Sequence, residues 1–475
     1  MTAGAIGHMR HEQAPTAAET LASFYSALRA GDLPAPTVHA VRRHMLDTLG
    51  AALAGVRQPE AEAARAAARA AYGLDGPAIL WGRPDSAGAA AAALVNGTAA
   101  HALELDDASG CDHSGAVVMP AVLAALPLAH EADADDLTAA VVAGYDLGRR
   151  VLEASGGYDA HNNAGWHSTG TCGVFGAAAA VARLMRCDAV TTRHVLGIAG
   201  SFASGTWAFM SDGAMTKRLH PGHAAASGVL AVLLARAGMR GPAAILEAPW
   251  GGFLPTYARE AADPALLTSE LGVAWRIHRS SIKPYASCRG THAAVEAMLR
   301  LRAEGASAAT IERIEARVHP TVVRMCGAVD VNTLLDAQMS LPYAVGVALV
   351  HGAADLPMFA EEVRRDPEVR TQAQRVRVVA SRDPISNVGA ELVLALRGGG
   401  ERRLRIDVPA GSATNPLPDA AVIAKYRSLA TPVIGKTAAC ALQEAVLGLG
   451  AGVAPRDILA HLRGRAPTEA TQEGP

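Results

Sequence analysis

ELVLALRGGGERRLRIDV, residues 391–408, decides how this chain is read. Leu392, Leu394 and Leu396 alternate with other side chains before the glycines 398–400, and Leu404, Ile406 and Val408 alternate after them. A period of two belongs to a strand, and glycine supplies the turn, so the stretch predicts a β-hairpin. IEARVHP at 314–320 and RVRVVAS at 375–381 alternate in the same way, while residues 290–304 read as a helix. Residues 273–408 are therefore expected to form a small α/β unit.

Outward from this unit the pattern changes to helix. Thr16 and Glu19 form a capping-box pattern, and Val38, Val41, Met45 and Leu49 recur at helical spacing. Alanine-rich segments at 60–72, 86–105, 116–130, 136–153, 170–185, 190–205 and 222–238 follow, punctuated by Gly and Pro. Past the hairpin, Asp419 is the expected cap of a return to helix. The fold class is thus mainly α: a large all-helical domain, 15–272 plus 409–463, with the smaller α/β domain inserted. The ends, 1–14 and 464–475, are expected to fray.

Composition narrows the function. The 475 residues are 50% hydrophobic, 4% aromatic and carry a net charge of −2, so no basic face for nucleic acid or anionic lipid is implied. Apolar runs near 93–103 and 224–235 are broken by polar residues, and the first fifteen residues lack an apolar core, so neither a membrane span nor a secretory leader is expected. Cysteines 111, 172, 187, 288, 326 and 440 show no CxxC spacing, which favours a reduced, cytoplasmic chain over a zinc or disulfide framework. Lysine is scarce: Lys217, Lys283, Lys425 and Lys436 stand against thirty-nine arginines. An ammonium has a tunable pKa where a guanidinium does not, so each lysine is a candidate for chemistry.

Four segments concentrate reactive residue types. NGTAAHALELDDASGCDHSGA (96–116) gathers Glu104, Asp106, Asp107, Asp112 and His113; read unaided, it is a solvated acidic helix end. GWHSTGTCGVFGAA (165–178) places His167 before a small-residue helix, where a capping or core role is the simpler one. MTKRLHPGHAA (215–225) packs Lys217, Arg218, His220 and His223 at a helix start, suited to an anion or simply to a solvated basic loop. His220 and His223 without a matched carboxylate make a poor metal site. SIKPYASCRGTHAA (281–294) offers Lys283, Cys288, Arg289 and His292, including a conceivable Cys–His nucleophile. No nucleotide cradle is present, so redox and phosphoryl chemistry lack support.

Together these segments resemble the MmgE/PrpD family, whose members include 2-methylcitrate dehydratase, cis-aconitate decarboxylase and iminodisuccinate epimerase. The similar stretches are HMLDTLGAALAG (44–55), NGTAAHALELDD (96–107), GWHSTGTCGVFGAAAA (165–180), MTKRLHPGHAAASG (215–228), IKPYASCRGTH (282–292), AQMSLPYAVG (337–346) and NPLPD (415–419), in the family's order. The resemblance implies a helical domain with an inserted α/β lid, a homodimer, no cofactor and no metal. It also implies charge developing on carbon next to a carboxylate, which calls for cations, hydrogen-bond donors and a proton carrier. By motif position it points to His167, Lys217, Tyr343 and Lys283 as catalytic, with Glu104, His113, Arg218, His220, Cys288 and His292 around the substrate.

Three departures stand out: Glu104 where decarboxylase-like members have Asp, Cys288 where the decarboxylase has His, and the family's HP[SG] histidine represented by His113 or Asp112. They point away from decarboxylation of cis-aconitate itself. The expectation is a cofactor-independent lyase, dehydratase- or decarboxylase-like, acting on a small di- or tricarboxylate. An epimerase or isomerase moving an α proton is the alternative, and a non-catalytic carboxylate-binding scaffold the third.

Overall fold

The computed structural model of the chain describes residues 14–464, so the ends expected to fray lie outside it except for Ala14 and Gly464. Helices α1 (Ala17–Ala27), α2 (Ala35–Gly55) and α3 (Pro59–Tyr72) open the body. The Thr16 side chain accepts from the Glu19 N–H and Glu19 answers on Thr16, the reciprocal cap that the sequence predicts. A short antiparallel ribbon, β1 (Ala78–Ile79) and β2 (Ser86–Ala87), follows. The body is thus not strictly all-helical: Gly82, at φ +65°, helps turn the chain back between the two strands.

Eight helices then complete this part: α4 (Ala89–His101), α5 (Ser114–Ala125), α6 (Ala134–Ala154), α7 (Gly157–Asn163), α8 (Ser168–Thr171), α9 (Gly173–Leu184), α10 (Ala189–Gly200) and α11 (Thr216–Arg236). Small residues let their backbones approach closely. A Cβ on Gly97 of α4 would lie 2.7 Å from Gly222 Cα of α11, and one on Gly222 would lie 2.3 Å from the Leu94 carbonyl. That crossing brings the C-terminal end of α4, His101, against the first turn of α11, Lys217.

The inserted unit contains α12 (His292–Ala303), β3 (Ile311–Val318), α13 (Pro320–Cys326), α14 (Leu334–Gln338), α15 (Leu341–His351), α16 (Glu361–Arg364), α17 (Pro367–Gln374), β4 (Val376–Ala380), β5 (Ala390–Leu396) and β6 (Glu401–Ile406). Its sheet runs β4-β3-β5-β6, with β3 and β4 parallel and the other pairs antiparallel. The hairpin read from the sequence is β5–β6, turned by Gly399 and Gly400 at φ +85° and +87°. Helices α18 (Asp419–Ile434), α19 (Lys436–Leu447) and α20 (Pro455–Leu462) return to the body. Asp419 is not the cap. Pro418 precedes the helix, and the Asp419 carboxylate pairs with Arg43 and His39.

Two large apolar cores result. One takes the helical residues up to Ile282 and resumes at Val422; the other runs from Ala286 to Ile406. Trp275, Ile277 and Ile282 pack in the first, so the chain leaves the helical core later than residue 273. The two crossings touch: the Ile282 N–H donates to Gly411 O at 3.0 Å, and Gly411 holds φ +82°. Leu103 and Leu105 of the body bury in the insert's core. Among the described residues no helix is long and apolar enough to cross a membrane.

Candidate active site

Between α4 and α5 the chain runs through residues 102–113 with positive φ at Glu104 (55°), Ser109 (65°) and Asp112 (117°). Left-handed backbone at non-glycine residues costs free energy and collects at functional sites. Here the contacts explain its persistence. Gln338 Nε2 donates to Leu103 O at 2.6 Å, and Lys425 Nζ donates to Leu105 O at 2.6 Å. With Leu103 and Leu105 fixed in the apolar core, Glu104 between them is left facing the cavity.

Three cations converge on that carboxylate. Lys217 Nζ lies 2.7 Å from Glu104 Oε2, Lys283 Nζ lies 3.4 Å from Oε1, and Arg218 also donates to Oε2. All four side chains are buried. Burial pushes the Glu104 carboxyl up, but Lys217, Lys283 and Arg218 together hold it well below its ordinary range. Burial likewise pulls Lys217 below 10.5, against the opposing pull of Glu104. The scarcity of lysine thus has a local meaning: Lys217, Lys283 and Lys425 all meet the 104–105 segment, and only Lys436 is exposed elsewhere.

A histidine cluster adjoins this hub. His101 Nδ1 donates to Asp106 at 2.9 Å, and its Nε2 accepts from Lys217 at 3.0 Å. Burial keeps His101 well below 6.5 and so neutral, which fits that assignment of its proton. His113 behaves oppositely. Burial lowers it, but Asp112 and Asp106 outweigh burial and raise it above 6.5. Its Nδ1 donates to Asp107 O at 2.8 Å, with Asp106 at 3.1 Å. Its Nε2 has only Asp112 at 3.7 Å and Glu104 at 3.9 Å, both beyond a hydrogen bond. The result is a ring that favours its protonated form and whose Nε2 has no hydrogen-bond partner among the described residues.

His113, Glu104, Lys217, Asp112, Cys288 and Arg289 line a cavity of about 260 Å³, closed further by Arg149, Tyr158, Trp207, Cys326 and Asn387. The acidic segment is therefore a buried wall, not a solvated helix end. The basic segment is divided: Lys217 and Arg218 are buried, while His223 is exposed and meets only Ser204 at 3.4 Å.

The other expected residues separate. His167 is buried behind Asp112, with its Nε2 3.6 Å from that carboxylate and its Nδ1 2.8 Å from His220 Nδ1. Burial pulls His167 to about 4 and His220 to about 3, so both are neutral and neither lines the cavity. Arg218 and Lys283 act from behind through Glu104. Tyr343 is not brought to the site: its hydroxyl donates to Met358 O at 2.7 Å, and it borders a separate pocket with Asn332 and Arg370. His292 is also turned away, its ring nitrogens taken by Arg289 at 2.9 Å and Ser287 O at 3.1 Å. The Cys–His pair is therefore not formed; Cys288 lines the cavity, as does Cys326.

Sequence reasoning passed over His101 and Cys326. His101 lay three residues before Glu104 at a helix end, a spacing that puts both on one face. Cys326 carried no such mark. Two donor sets could in principle hold a metal ion: His101, Asp106 and His113, or Asp112, His113 and His167. The first is occupied by its own hydrogen bonds and faces the Lys217 ammonium, which repels a cation. In the second, His113 Nδ1 already donates to Asp107 O, which leaves Nε2 as that ring's one free nitrogen.

Residues 19–263 match the MmgE/PrpD N-terminal domain and residues 285–450 the MmgE/PrpD C-terminal domain. The chain is 28% identical to cis-aconitate decarboxylase of Aspergillus terreus over 450 residues, 89% of this chain and 91% of that one. It is 27% identical to the cis-aconitate decarboxylase-like protein oryM of Aspergillus oryzae, over 94% of this chain and 96% of the relative. With Homo sapiens cis-aconitate decarboxylase the identity is 28%, over 88% of each. Both family models in sequence, over most of the described chain, give one conclusion: the chain belongs to the MmgE/PrpD family.

Proposed function

We propose that this chain is a lyase of decarboxylase type acting on a small tricarboxylate, with His113 as the proton donor. One observation carries the choice: the cavity presents His113 Nε2 without a hydrogen-bond partner, on a ring that Asp112 and Asp106 bias toward its protonated form, beside carboxylates that make poor bases. Glu104 and Asp112 are both held below their ordinary range, burial pushing up and the neighbouring cations or histidines pulling further down. Dehydration or epimerisation begins by removing an α proton and needs a base; decarboxylation needs a cationic pocket and an acid.

In the proposed reaction a C–C bond to one carboxylate breaks and CO2 leaves. The electron pair stays on carbon, stabilised by the remaining carboxylates in the field of Lys217, and His113 Nε2 delivers its proton to that carbon. Solvent then reprotonates His113. Preorganised charges of this kind supply much of enzymic rate enhancement, because they need no reorganisation during the reaction. The similarity to proteins named cis-aconitate decarboxylases supports this reading over the weight that the sequence departures at Glu104 and Cys288 suggested. The reading includes action without a cofactor, a cytoplasmic setting and a homodimer.

The test is incubation with cis-aconitate, citrate and methylcitrate in deuterated water. CO2 release with one solvent deuterium in the product is expected from cis-aconitate. Loss of water without CO2 from the other acids, or exchange without loss of mass, would overturn the decarboxylase assignment in favour of dehydratase or epimerase.

A further inference from the structure

A tricarboxylate carries three charges into the cavity, and each charge taken out of water needs a partner. Among the described residues, three lysine or arginine side chains line that space: Lys217, Arg149 and Arg289. Arg218 and Lys283 stand behind Glu104 and are not part of the wall. Arg289 is already spent. Its Nη1 donates to His292 Nδ1 and Ala410 O, its Nη2 donates to Pro409 O and the Ser412 hydroxyl, and its Nε is buried.

Arg149, on α6, is arranged differently. Its Nε donates to Glu153 Oε1 at 2.9 Å, and its Nη1 donates to Ser109 O at 3.1 Å and Gly110 O at 3.3 Å. Nη2 meets no acceptor among the described residues and is not sealed in protein; the side chain is 19% exposed. Its neighbour Arg150 turns the other way, fully buried against Asp146 at 2.6 Å. The charge on Arg149 is also left uncancelled. Glu153 serves three guanidiniums, Arg149 at 2.9 Å and Arg276 and Arg279 at 3.1 Å each. Glu270, 3.6 Å from Arg276, lies out in solvent where water and salt screen it. This side of the cavity therefore keeps a surplus of positive charge, which draws anions.

We propose that Arg149 sets the substrate class: its Nη2 donates to the carboxylate furthest from the reacting carbon and so selects a tricarboxylate over a dicarboxylate. The two usable cations hold opposite ends of one segment, Lys217 on Glu104 and Arg149 on the carbonyls of Ser109 and Gly110. A substrate held by both is fixed at two ends. Because Nε and Nη1 already pin the guanidinium, little side-chain freedom remains to be lost when a carboxylate binds. The inference rests on the reading of the cavity as a tricarboxylate site and names the residue that recognises the third charge.

The test is calorimetry on the full-length protein with two unreactive probes: propane-1,2,3-tricarboxylate, and succinate, which lacks one carboxymethyl arm. Wild type should bind the tricarboxylate at least about tenfold more tightly. Arg149→Gln keeps an amide able to donate to the Ser109 and Gly110 carbonyls but removes the charge. It should weaken the tricarboxylate by about 10–100-fold while succinate changes little, and Arg149→Lys should recover part of the loss. With cis-aconitate the same variant should raise KM and leave kcat little changed, the sign of a contact made equally before and during reaction. If wild type releases no CO2 but the binding ratio still collapses in Arg149→Gln, the decarboxylase reading fails and this inference stands. It is overturned if wild type binds both probes equally, if Arg149→Gln leaves the ratio intact, or if the variant weakens both probes by the same factor, which would mark a purely structural arginine.

Discussion

The Lys217 ammonium is 2.7 Å from a Glu104 carboxylate oxygen, and neither side chain has access to bulk water. A compact cation is required there because the same nitrogen is 3.0 Å from His101 Nε2. Replacement with Met leaves Glu104 to Arg218 and Lys283 alone. Removing one partner of a buried pair costs about 3–5 kcal/mol, and the remaining cations place Lys217→Met near the low end. Loss of the charge facing the substrate should lower kcat by roughly 10²–10³, as for the loss of an electrostatic stabiliser elsewhere. Chemical denaturation and steady-state rates check the two effects, and Lys217→Arg should not restore the rate.

With His113 as the proposed proton donor, its titration should set the alkaline limb of activity. Its folded pKa is raised above 6.5 by Asp112 and Asp106 against burial, so its charged form stabilises the fold below that value. Both this stability and the proton donation disappear as pH rises through the folded pKa. Asp112→Asn removes the larger of the two supporting charges, and asparagine tolerates the φ of 117° found there. The alkaline limb of kcat/KM should move to lower pH in this variant, with turnover kept on the acid side. An unmoved limb would assign the proton to another group.

Acid acts in the opposite sense through Glu104 and Asp106. Both carboxyls are held well below their ordinary values, Glu104 chiefly by Lys217 and Asp106 chiefly by His101 and His113, in each case against burial. Their stabilisation is present above the unfolded carboxyl range and is lost as pH falls through the depressed folded values. In Glu104→Gln that part of the acid sensitivity should vanish, visible in the midpoint of denaturation measured across acidic pH.

Gly222 governs the site from a distance. A methyl group there meets Leu94 O at 2.3 Å, so Gly222→Ala must push α11 from α4. Overpacking of this kind costs about 1–3 kcal/mol. The displacement separates Lys217 from His101, so the variant should lose kcat out of proportion to its fall in stability. Thermal melting compared with kcat at a temperature where the variant is folded would show it.

Tyr343→Phe should leave kcat unchanged. It removes one hydrogen bond to Met358 O, about 0.5–1.5 kcal/mol of stability, at a place bordering a different pocket. A large fall in kcat with unchanged melting would return Tyr343 to the reacting groups.

The contrast between Tyr343 and Lys217 shows what the sequence can reveal. The Thr16 cap, the alanine-rich helices and the hairpin with three glycines are local features and stand in the structure as they read, whereas Asp419, drawn to Arg43 and His39, does not cap its helix. Lys217, Glu104 and Lys283 were legible because rare residue types sat in short distinctive strings. Whether a side chain on such a string turns inward depends on packing between distant elements. His292 faces Arg289 and Ser287, and Tyr343 faces Met358, for reasons that lie in the insert's own core. Cys326 was invisible for the same reason: only the fold of α13 brings it to the cavity wall.

The hydrogen bond where Ile282 meets Gly411 is one of several that tie the insert to the body. Gln338 of the insert donates to Leu103 O at 2.6 Å and accepts from Arg218 at 2.9 Å, and Arg324 reaches Asn163. Leu103 and Leu105 are buried in the insert's own core, so the backbone that aims Glu104 is held from the insert's side. Docking of the insert therefore does two things at once: it roofs the chamber and sets the carboxylate on which the three cations meet.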